Sequence, residues 1–323
     1  MKCTNKLLFV SLILLVLVSL CGCGSSSYRI PYDASSNIRA YSFDSYNTDG
    51  GALPFAFDIC VADEDIKGNG VDIAASSAAL FNVTGKKTEY AKSVNRTLHP
   101  ASLTKIMTAY LALKYGKSDD ILTASSNIYN LDSGAQICGF EEGDQLTLEQ
   151  VLYGLLLYSG NDAGIMIAEY ISGSVEEFAD LMNKEALMLG ATNTHFTNPH
   201  GLTDDNHYTT AYDLYLIFNA ALKYDKFKEI IRTSEYKTTY TDKNGNAKDI
   251  RFSATNYYIS GATKSPKDVN VLGGKTGSTK AAGNCLILLS TNASGENFIS
   301  IVMNSEDRDT LYSQMNNLLK LEP

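Results

Sequence analysis

The segment LTKIMTAYLAL, from Leu103 to Leu113, carries apolar residues on almost every side of a potential helix. This pattern predicts a helix that is buried all round rather than an amphipathic surface helix. Lys105 interrupts the pattern in the first turn, three residues after Ser102. A buried ammonium group costs several kcal/mol unless it is paired or neutral. The position of this lysine therefore calls for a chemical explanation.

Hydrophobic alternation and turn residues predict β-structure on both sides of a helical region. Residues 78–83 and the segment from Thr88 onward predict a hairpin whose turn is Thr84-Gly85-Lys86. Residues 237–254 predict a second hairpin, with Asn244-Gly245 at its turn. Residues 271–304 predict three short antiparallel strands.

The middle of the chain is predicted to be helical because N-cap residues are followed by acidic or amide residues three positions later. The pairs are Thr147 with Gln150, Ser174 with Glu177, and the looser match Thr210 with Asp213. A last amphipathic helix is predicted from Leu311, Met315, Leu318 and Leu319. This order of elements predicts one α+β domain in which strands distant in sequence share a sheet covered by helices.

The N-terminus predicts export. Lys2 and Lys6 precede an apolar run from Leu7 to Leu20, which is too short to span a bilayer and has the length of a signal-peptide core. The run ends in LCGC, which resembles a bacterial lipobox with Cys23 as the lipidated residue. An ordinary secretory signal is the alternative. We expect a lipoprotein signal peptide at 1–22, a flexible tether at 23–52 and a catalytic domain at 53–323, extracytoplasmic and held to the membrane through the N-terminal lipid.

Composition excludes some functions. The chain has 323 residues and a formal net charge of −9, which becomes −11 when residues 1–22, with two lysines and no acid, are removed. Such an acidic protein is a poor candidate for binding nucleic acid.

Three cysteines follow Cys23, without a CxxC pair, and we expect buried thiols at Cys60, Cys138 and Cys285.

Ser102 and Lys105 have the spacing that nucleophilic catalysis needs. Residues at i and i+3 share one face of a helix, and the N-terminus of a helix favours a developing oxyanion. A lysine that is desolvated near another cation has a lowered pKa and can take the proton of a serine. Ser234 and Lys237 have the same spacing, but no helix is predicted after them.

Two further motifs distinguish the Ser102 pair from the Ser234 pair. Ser159-Gly160-Asn161 follows an apolar helix, and Lys275-Thr276-Gly277 lies on a predicted strand edged by small residues. Each motif alone is more often a polar loop or a strand end. Together, in this order, the three motifs resemble the active-serine penicillin-recognising enzymes, whose signature is SxxK, S-[DG]-N and K-T-G.

Longer segments sharpen the resemblance. Four segments are similar to successive characteristic segments of the D-alanyl-D-alanine carboxypeptidases, the low-molecular-mass penicillin-binding proteins. They are HPASLTKIMTAYLAL, SGNDA, FTNPHGLTDDNHYTTAYDL and GGKTGSTKAAGNCLILL. The resemblance covers roughly residues 78–319. It implies an α+β fold of the β-lactamase/transpeptidase type, with an antiparallel sheet flanked by helices and a helical subdomain. It also implies peptidoglycan stem peptides as substrates, β-lactams as inhibitors, and no cofactor or metal.

The resemblance assigns roles residue by residue. It implies Ser102 as the nucleophile, Lys105 as the general base and Ser159 as the relay of a proton to the leaving D-Ala. Asn161 would orient Lys105 and the substrate amide. Residues of the third motif would bind the substrate: Lys275 and Thr276 at its carboxylate, Gly277 by allowing close approach to the strand, and Ser278, with Ser102, through backbone N–H groups of the oxyanion hole.

The resemblance leaves two features open, namely how the chain is anchored and what Arg308 does. Better-known members carry a further β-rich domain and a terminal anchor helix, whereas this sequence ends soon after the last predicted helix, which favours anchorage through the lipid. Arg308 precedes that helix where the family often has an arginine near the carboxylate pocket, but we expect a solvated residue.

Three rival hypotheses fit the sequence less well. His195, His200 and His207 with Asp204 and Asp205 contain zinc-ligand residue types, but no HExxH pair is present, and these histidines are expected to bind local backbone. A catalytically inactive binding or sensor lipoprotein is disfavoured because all three motifs are intact. A class A β-lactamase uses a glutamate between its second and third motifs for deacylation, and no glutamate occurs here between Glu185 and Glu229.

Overall fold

The computed structural model describes residues 58–62, 64–68 and 70–322. The predicted signal peptide, the tether and Cys23 therefore lie outside the described residues. In the part that is described, no helix has the length and apolar character needed to cross a membrane.

Strands and helices occur in the order that the sequence predicts, with helices between an initial hairpin and the final strands. The strands are β1 (Ser77–Asn82), β2 (Lys87–Lys92), β3 (Ile121–Thr123), β4 (Gln145–Thr147), β5 (Glu235–Thr241), β6 (Ala247–Ser253), β7 (Asn270–Thr279), β8 (Gly283–Thr291) and β9 (Asn297–Ser305). The helices are α1 (Lys105–Tyr115), α2 (Leu148–Tyr153), α3 (Asn161–Ser172), α4 (Val175–Met188), α5 (Ala211–Ala221), α6 (Asp225–Arg232), α7 (Tyr257–Ser260) and α8 (Arg308–Leu319).

The main sheet is antiparallel and has the order β2-β1-β9-β8-β7. Strands from the two ends of the chain meet in it, since Ala79 of β1 lies opposite Ile301 of β9. The α+β class, the first hairpin and the pairing of distant strands are therefore confirmed. The three last strands are nine or ten residues long rather than short. Among the described strands, β7 lies at the edge of this sheet.

The main sheet is buried on both faces because apolar residues alternate along its central strands. Ile299 and Ile301 of β9 join the core that contains α1 and α5, whereas Phe298 and Val302 join the core beneath α8. Helix α1 is buried from Lys105 to Ala112, as the all-round apolar pattern predicts.

Helix starts follow the predicted caps. Thr147 and Gln150 form a complete capping box at α2. Ser174 and Thr210 accept hydrogen bonds from the backbone N–H groups of Glu177 and Asp213, at α4 and α5. The predicted second hairpin is formed by β5 and β6, and its pairing begins at Glu235, two residues before the predicted start.

A second sheet, of order β3-β4-β5-β6, was not predicted. Strands β3 and β4 have three residues each, too few to show an alternating pattern. Only one residue pair, Gln145 with Thr241, joins β4 to β5. This small sheet lies in the described chain beside the helical region and carries the second hairpin.

Candidate active site

Ser102 and Lys105 are held together where a tight turn becomes α1. Ser102 lies in a 3₁₀ turn, Ala101–Thr104, and Lys105 is the first residue of the α-helix. Lys105 Nζ lies 2.9 Å from Ser102 Oγ, 2.6 Å from Asn161 Oδ1 and 2.6 Å from the carbonyl oxygen of His200. The lysine is fully buried, and its three partners come from three separate parts of the chain.

The turn that carries Ser102 is shaped by contacts that its own sequence does not reveal. Ala101 has a φ of 49°, an unusual value for a residue with a side chain. Thr104 Oγ1 donates to the carbonyl oxygen of Ala101 at 2.8 Å. Gly201, with a φ of 88°, packs so closely that a Cβ there would lie 1.8 Å from the same oxygen. The turn is therefore fixed from within and from a segment about 100 residues away.

Ser159 reaches the site through an irregular end to a helix. Helix α2 continues as a π-helical turn, Gly154–Tyr158, and ends at Ser159, which has a left-handed φ of 70°. A strained single residue at a helix end aims a side chain in a direction that a regular helix does not allow. Its hydroxyl oxygen accepts a hydrogen bond from Lys275 Nζ at 2.8 Å.

Lys275 lies on the edge strand β7 and points inward. It is 1% exposed, and its Nζ also donates to the carbonyl oxygen of Thr276 at 2.9 Å. The hydroxyl of Thr276 hydrogen-bonds that of Thr255 at 2.8 Å. Two buried lysines thus each contact one serine hydroxyl, Lys105 that of Ser102 and Lys275 that of Ser159.

Gly277 lets β7 approach the nucleophile's turn. A Cβ on Gly277 would lie 3.0 Å from the backbone nitrogen of Ser102 and 3.1 Å from that of Leu103. Ser278, the next residue, is exposed on the strand. The glycine was predicted to allow close approach of substrate, and the observed contact is with the backbone of the serine turn.

The predicted site residues converge on one cleft of about 600 Å³. The residues that line it include Ser102, Ser159, Asn161, Thr276, Gly277 and Ser278. Lys105 and Lys275 lie buried behind this surface and reach it through the serine hydroxyls. All eight residues predicted for catalysis and substrate binding are therefore brought together.

Burial controls the charge of the two lysines. The pKa of Lys105 is held well below its usual range, first by burial and then by repulsion from Lys275. Burial lowers the pKa of Lys275 to about 7. The lowered pKa favours the neutral form of Lys105, which is able to accept a proton, whereas an ordinary surface lysine is protonated near neutral pH.

The histidines of residues 194–207 make hydrogen bonds to nearby groups of the chain. His207 accepts from the backbone N–H of Thr197 at 3.0 Å and contacts Thr104 Oγ1 at 2.8 Å. Burial lowers the pKa values of His200 and His207 to about 3, so both rings are neutral. Among the described residues, no three His, Cys, Asp or Glu side chains are grouped to hold a metal ion.

Arg308 is exposed, as expected, but it also borders the cleft. Its Nη1 donates to the hydroxyl of Tyr257 at 3.1 Å, and the guanidinium lies 5.4 Å from the centre of that ring.

The alternative serine–lysine pair, Ser234 and Lys237, lies away from the cleft. Lys237 is 66% exposed there and pairs with Glu235.

Three thiols of the described chain are free. Cys60 and Cys285 are buried, as predicted. Cys138 is only partly buried as a residue, although its sulfur is packed against Gly154 and Gly160 beside the site.

Comparisons with known proteins agree with this geometry. Residues 63–307 match the family model described as D-alanyl-D-alanine carboxypeptidase. The chain is 42% identical over 176 residues to DacF of Bacillus subtilis, covering 52% of this chain and 44% of that relative. It is 32% identical over 257 residues to DacA of Haemophilus influenzae, covering 77% of this chain and 61% of the relative. The chain thus spans less than two thirds of these two relatives.

A relative of similar size also matches. The D-alanyl-D-alanine carboxypeptidase of Streptomyces sp. strain K15 is 32% identical, with 72% of this chain and 81% of the relative covered. The crystal structure of the Streptomyces K15 DD-transpeptidase has a TM-score of 0.72 at 28% identity, covering 78% of this chain and 97% of that one. This likeness confirms the predicted transpeptidase-like α+β fold. The chain therefore belongs to the D-alanyl-D-alanine carboxypeptidase family.

Proposed function

We propose that this protein is a serine-type D-Ala-D-Ala carboxypeptidase, which removes the terminal D-Ala from peptidoglycan stem peptides through an acyl-enzyme on Ser102. The single observation that carries the proposal is the position of Lys105 Nζ between Ser102 Oγ and two carbonyl oxygens. Family membership supplies the substrate class, and the cleft supplies the groups that the reaction needs.

The partners of Lys105 suit a neutral amine. A neutral amine has two N–H donors and one lone pair. The oxygens of Asn161 and His200 can only accept, at 2.6 Å each, so they take both N–H groups. The lone pair then faces the Ser102 hydroxyl at 2.9 Å. This arrangement supports Lys105 as the base that accepts the serine proton.

In the first half-reaction, Ser102 Oγ attacks the carbonyl carbon of the penultimate D-Ala while its proton passes to Lys105. The C–N bond then breaks, and the proton that Lys105 accepted passes through Ser159, whose hydroxyl is held by Lys275, to the departing D-Ala nitrogen. In the second, Lys105 takes a proton from water as the water oxygen attacks the Ser102 ester, and it returns a proton to Ser102 Oγ as the shortened peptide leaves. The backbone N–H groups of Ser102 and Ser278 would stabilise the oxyanion, a term worth about 3 kcal/mol per donor.

Cationic groups select a substrate with a free C-terminal carboxylate. Thr276 would hydrogen-bond that carboxylate, Lys275 would supply positive charge from behind the cleft surface, and Gly277 keeps β7 close to the Ser102 turn. Arg308 adds a second positive charge at the border of the cleft. A peptide with an amidated C-terminus should therefore be a poor substrate.

The proposal includes covalent binding of penicillin on Ser102 and an extracytoplasmic location. Enzymes that act on peptidoglycan meet their substrate outside the cytoplasm, and the N-terminal pattern agrees with export. Anchorage through a lipid on Cys23 belongs to the same proposal.

Release of D-Ala tests the function. The protein is incubated with a peptide ending in D-Ala-D-Ala, and free D-Ala is measured over time. We expect turnover by the wild type and none by Ser102→Ala. Absence of D-Ala release from a folded wild-type protein that still reacts with penicillin would leave a penicillin-binding sensor in place of the peptidase.

A further inference from the structure

A loop of residues 132–140, here called the strap, forms part of the cleft wall beside Ser159 and Asn161. Its first half, residues 132–136, lines the cleft and is largely exposed to solvent. In its second half Cys138 is partly buried, and the strap ends at Phe140, which is buried edge-on against Tyr240 and Phe252. The described strap has no strand or helix of its own to fix its position.

Asp162 supplies the missing attachment. Its carboxylate is 2% exposed and follows Asn161 in the first turn of α3. Oδ1 accepts from the backbone N–H of Cys138 at 2.8 Å, and Oδ2 accepts from that of Gly139 at 2.9 Å. A third N–H, that of Phe140, lies 3.4 Å from Oδ2. Buried charge-assisted hydrogen bonds of this kind are stronger than neutral ones.

Two further contacts join the strap to the second motif. The backbone N–H of Asn161 donates to the carbonyl oxygen of Gln136 at 2.8 Å. The sulfur of Cys138 packs on Gly160, where an added Cβ would lie 2.2 Å from it. Gly160 has an ordinary φ of −62°, so space, rather than backbone freedom, requires a glycine here.

We propose that Asp162 is a positioning residue, which clamps the strap to the start of α3 and so sets the cleft wall next to Asn161. Asp162 does not line the cleft and touches no reacting atom. It acts through the strap, whose exposed half is in place to contact the substrate. The effect on catalysis rests on the proposed peptidase function, whereas the clamp itself does not.

Asp162→Asn is the informative substitution. An asparagine of nearly the same shape keeps one acceptor oxygen but turns the other into an NH₂ group. That group would face backbone N–H donors of the strap, a donor opposite a donor. The strap should therefore open without a cavity being created.

Cys138 reports the opening directly. While the strap is closed, burial raises the pKa of this thiol well above its usual range and its sulfur lies against Gly160. The full-length wild type and Asp162→Asn are treated with iodoacetamide under native conditions, and labelling of each cysteine is followed by peptide mass spectrometry. We expect the Cys138 labelling rate to rise at least about tenfold, since several charge-assisted hydrogen bonds are lost. Cys60 and Cys285, both 0% exposed, should stay protected.

Asp213→Asn is the matched control. Asp213 is also 2% exposed in the first turn of a helix, and it accepts from the Asn193 N–H at 2.8 Å and the Thr194 hydroxyl at 2.7 Å. Its loss should leave Cys138 protected, because it holds a different segment.

Kinetics separate positioning from general damage. For Asp162→Asn we expect the KM of a D-Ala-D-Ala peptide to rise by about tenfold with a smaller change in kcat, because the wall binds substrate but not the reacting atoms. The Asp162 charge contributes to raising the pKa of Lys105, so its removal should move the acid limb of the kcat profile to lower pH without abolishing it. Equal labelling of all three cysteines, or an unchanged Cys138 rate, would overturn the clamp. Opening of the strap with unchanged KM would overturn its role in substrate binding. If the wild type releases no D-Ala, the proposed function fails while the labelling still tests the clamp.

Discussion

Lys105 Nζ lies 2.9 Å from Ser102 Oγ at the start of a helix that is otherwise apolar on all sides. The burial that makes this lysine costly also lowers its pKa, so the cost of burial and the capacity to act as a base have one cause. The lysine is retained in the core because its neutral form has a partner for each donor and for its lone pair.

Removal of either member of this pair should stop acylation. We expect Ser102→Ala and Lys105→Ala each to lower the rate of penicillin labelling by at least about 1,000-fold, because one removes the nucleophile and the other its base. Intact-mass spectrometry measures the labelling, and circular dichroism checks the fold. Ser234→Ala is the control, since Ser234 has the same spacing to a lysine outside the cleft. Loss of labelling in that control would show that the motif has been misassigned.

Lys275 should control the pH at which Lys105 becomes a base. Repulsion from Lys275 contributes to the lowered pKa of Lys105, so Lys275→Met should raise that pKa. Acylation requires neutral Lys105, and its rate rises as pH increases through this pKa. The acid limb of the rate profile should therefore move to higher pH in the variant. Penicillin acylation rates measured across a pH series test this shift.

The control for that series is Lys280→Met. Lys280 borders the same cleft but is exposed, so solvent screens its charge. The Lys280→Met variant should have the acid limb of its rate profile at the same pH as the wild type. An equal shift in both variants would mean that general positive charge in the cleft, and not the buried neighbour, sets the pKa of Lys105.

Substitution of Gly201 should be damaging because the surrounding atoms leave no room for a Cβ atom. Alanine there would place its Cβ 1.8 Å from the Ala101 carbonyl oxygen and force the Ser102 turn to move. We expect Gly201→Ala to lose about 2 kcal/mol or more of folding free energy and to slow penicillin acylation strongly. Gly173→Ala is a matched control, because Gly173 has a similar φ of 86° with nothing within 4 Å of the new Cβ. Equal acylation rates in the two variants would contradict the contact.

The convergence of the candidate site residues could be predicted because they lie in short motifs. Ser102 and Lys105 share a helix face at fixed spacing, and the burial of α1 follows from its all-round apolar pattern. The same reasoning placed Lys275 on a strand, where β7 now presents it at the edge of the main sheet.

What could not be predicted depends on backbone atoms and long-range packing. The second acceptor of Lys105 is the carbonyl oxygen of His200, 95 residues away, and a carbonyl group leaves no trace in the residue type. The positive φ of Ala101 and the two three-residue strands likewise follow from tertiary contacts. Asp162 was visible as a residue of the SGNDA segment, but the strap that it binds has no periodic pattern.

The N-terminal pattern makes a separate prediction about location. If Cys23 carries the lipid, Cys23→Ala should leave the precursor uncleaved by the lipoprotein signal peptidase. Membrane fractionation and mass spectrometry of the N-terminus compare the wild type with the variant. A wild-type mature N-terminus well beyond Cys23 would favour an ordinary secretory signal.

The fate of the penicillin adduct distinguishes a carboxypeptidase from a class A β-lactamase. Both acylate an active serine, but the β-lactamase directs water to the ester with a glutamate between its second and third motifs. In the described chain, the residues from that interval that line the cleft are His200 to Thr203 and Thr255, and none of them has a carboxylate side chain.

Water can still reach the ester formed from a peptide, because departure of the D-Ala frees the space beside the ester carbonyl. The penicillin acyl-enzyme instead keeps its ring fragment covalently attached, and that fragment remains over the ester. We therefore expect the penicillin adduct on Ser102 to persist for many minutes while a D-Ala-D-Ala peptide turns over. Intact-mass spectrometry after mixing with penicillin follows the added mass. A rapid return to the free mass with consumption of the antibiotic would identify a β-lactamase instead.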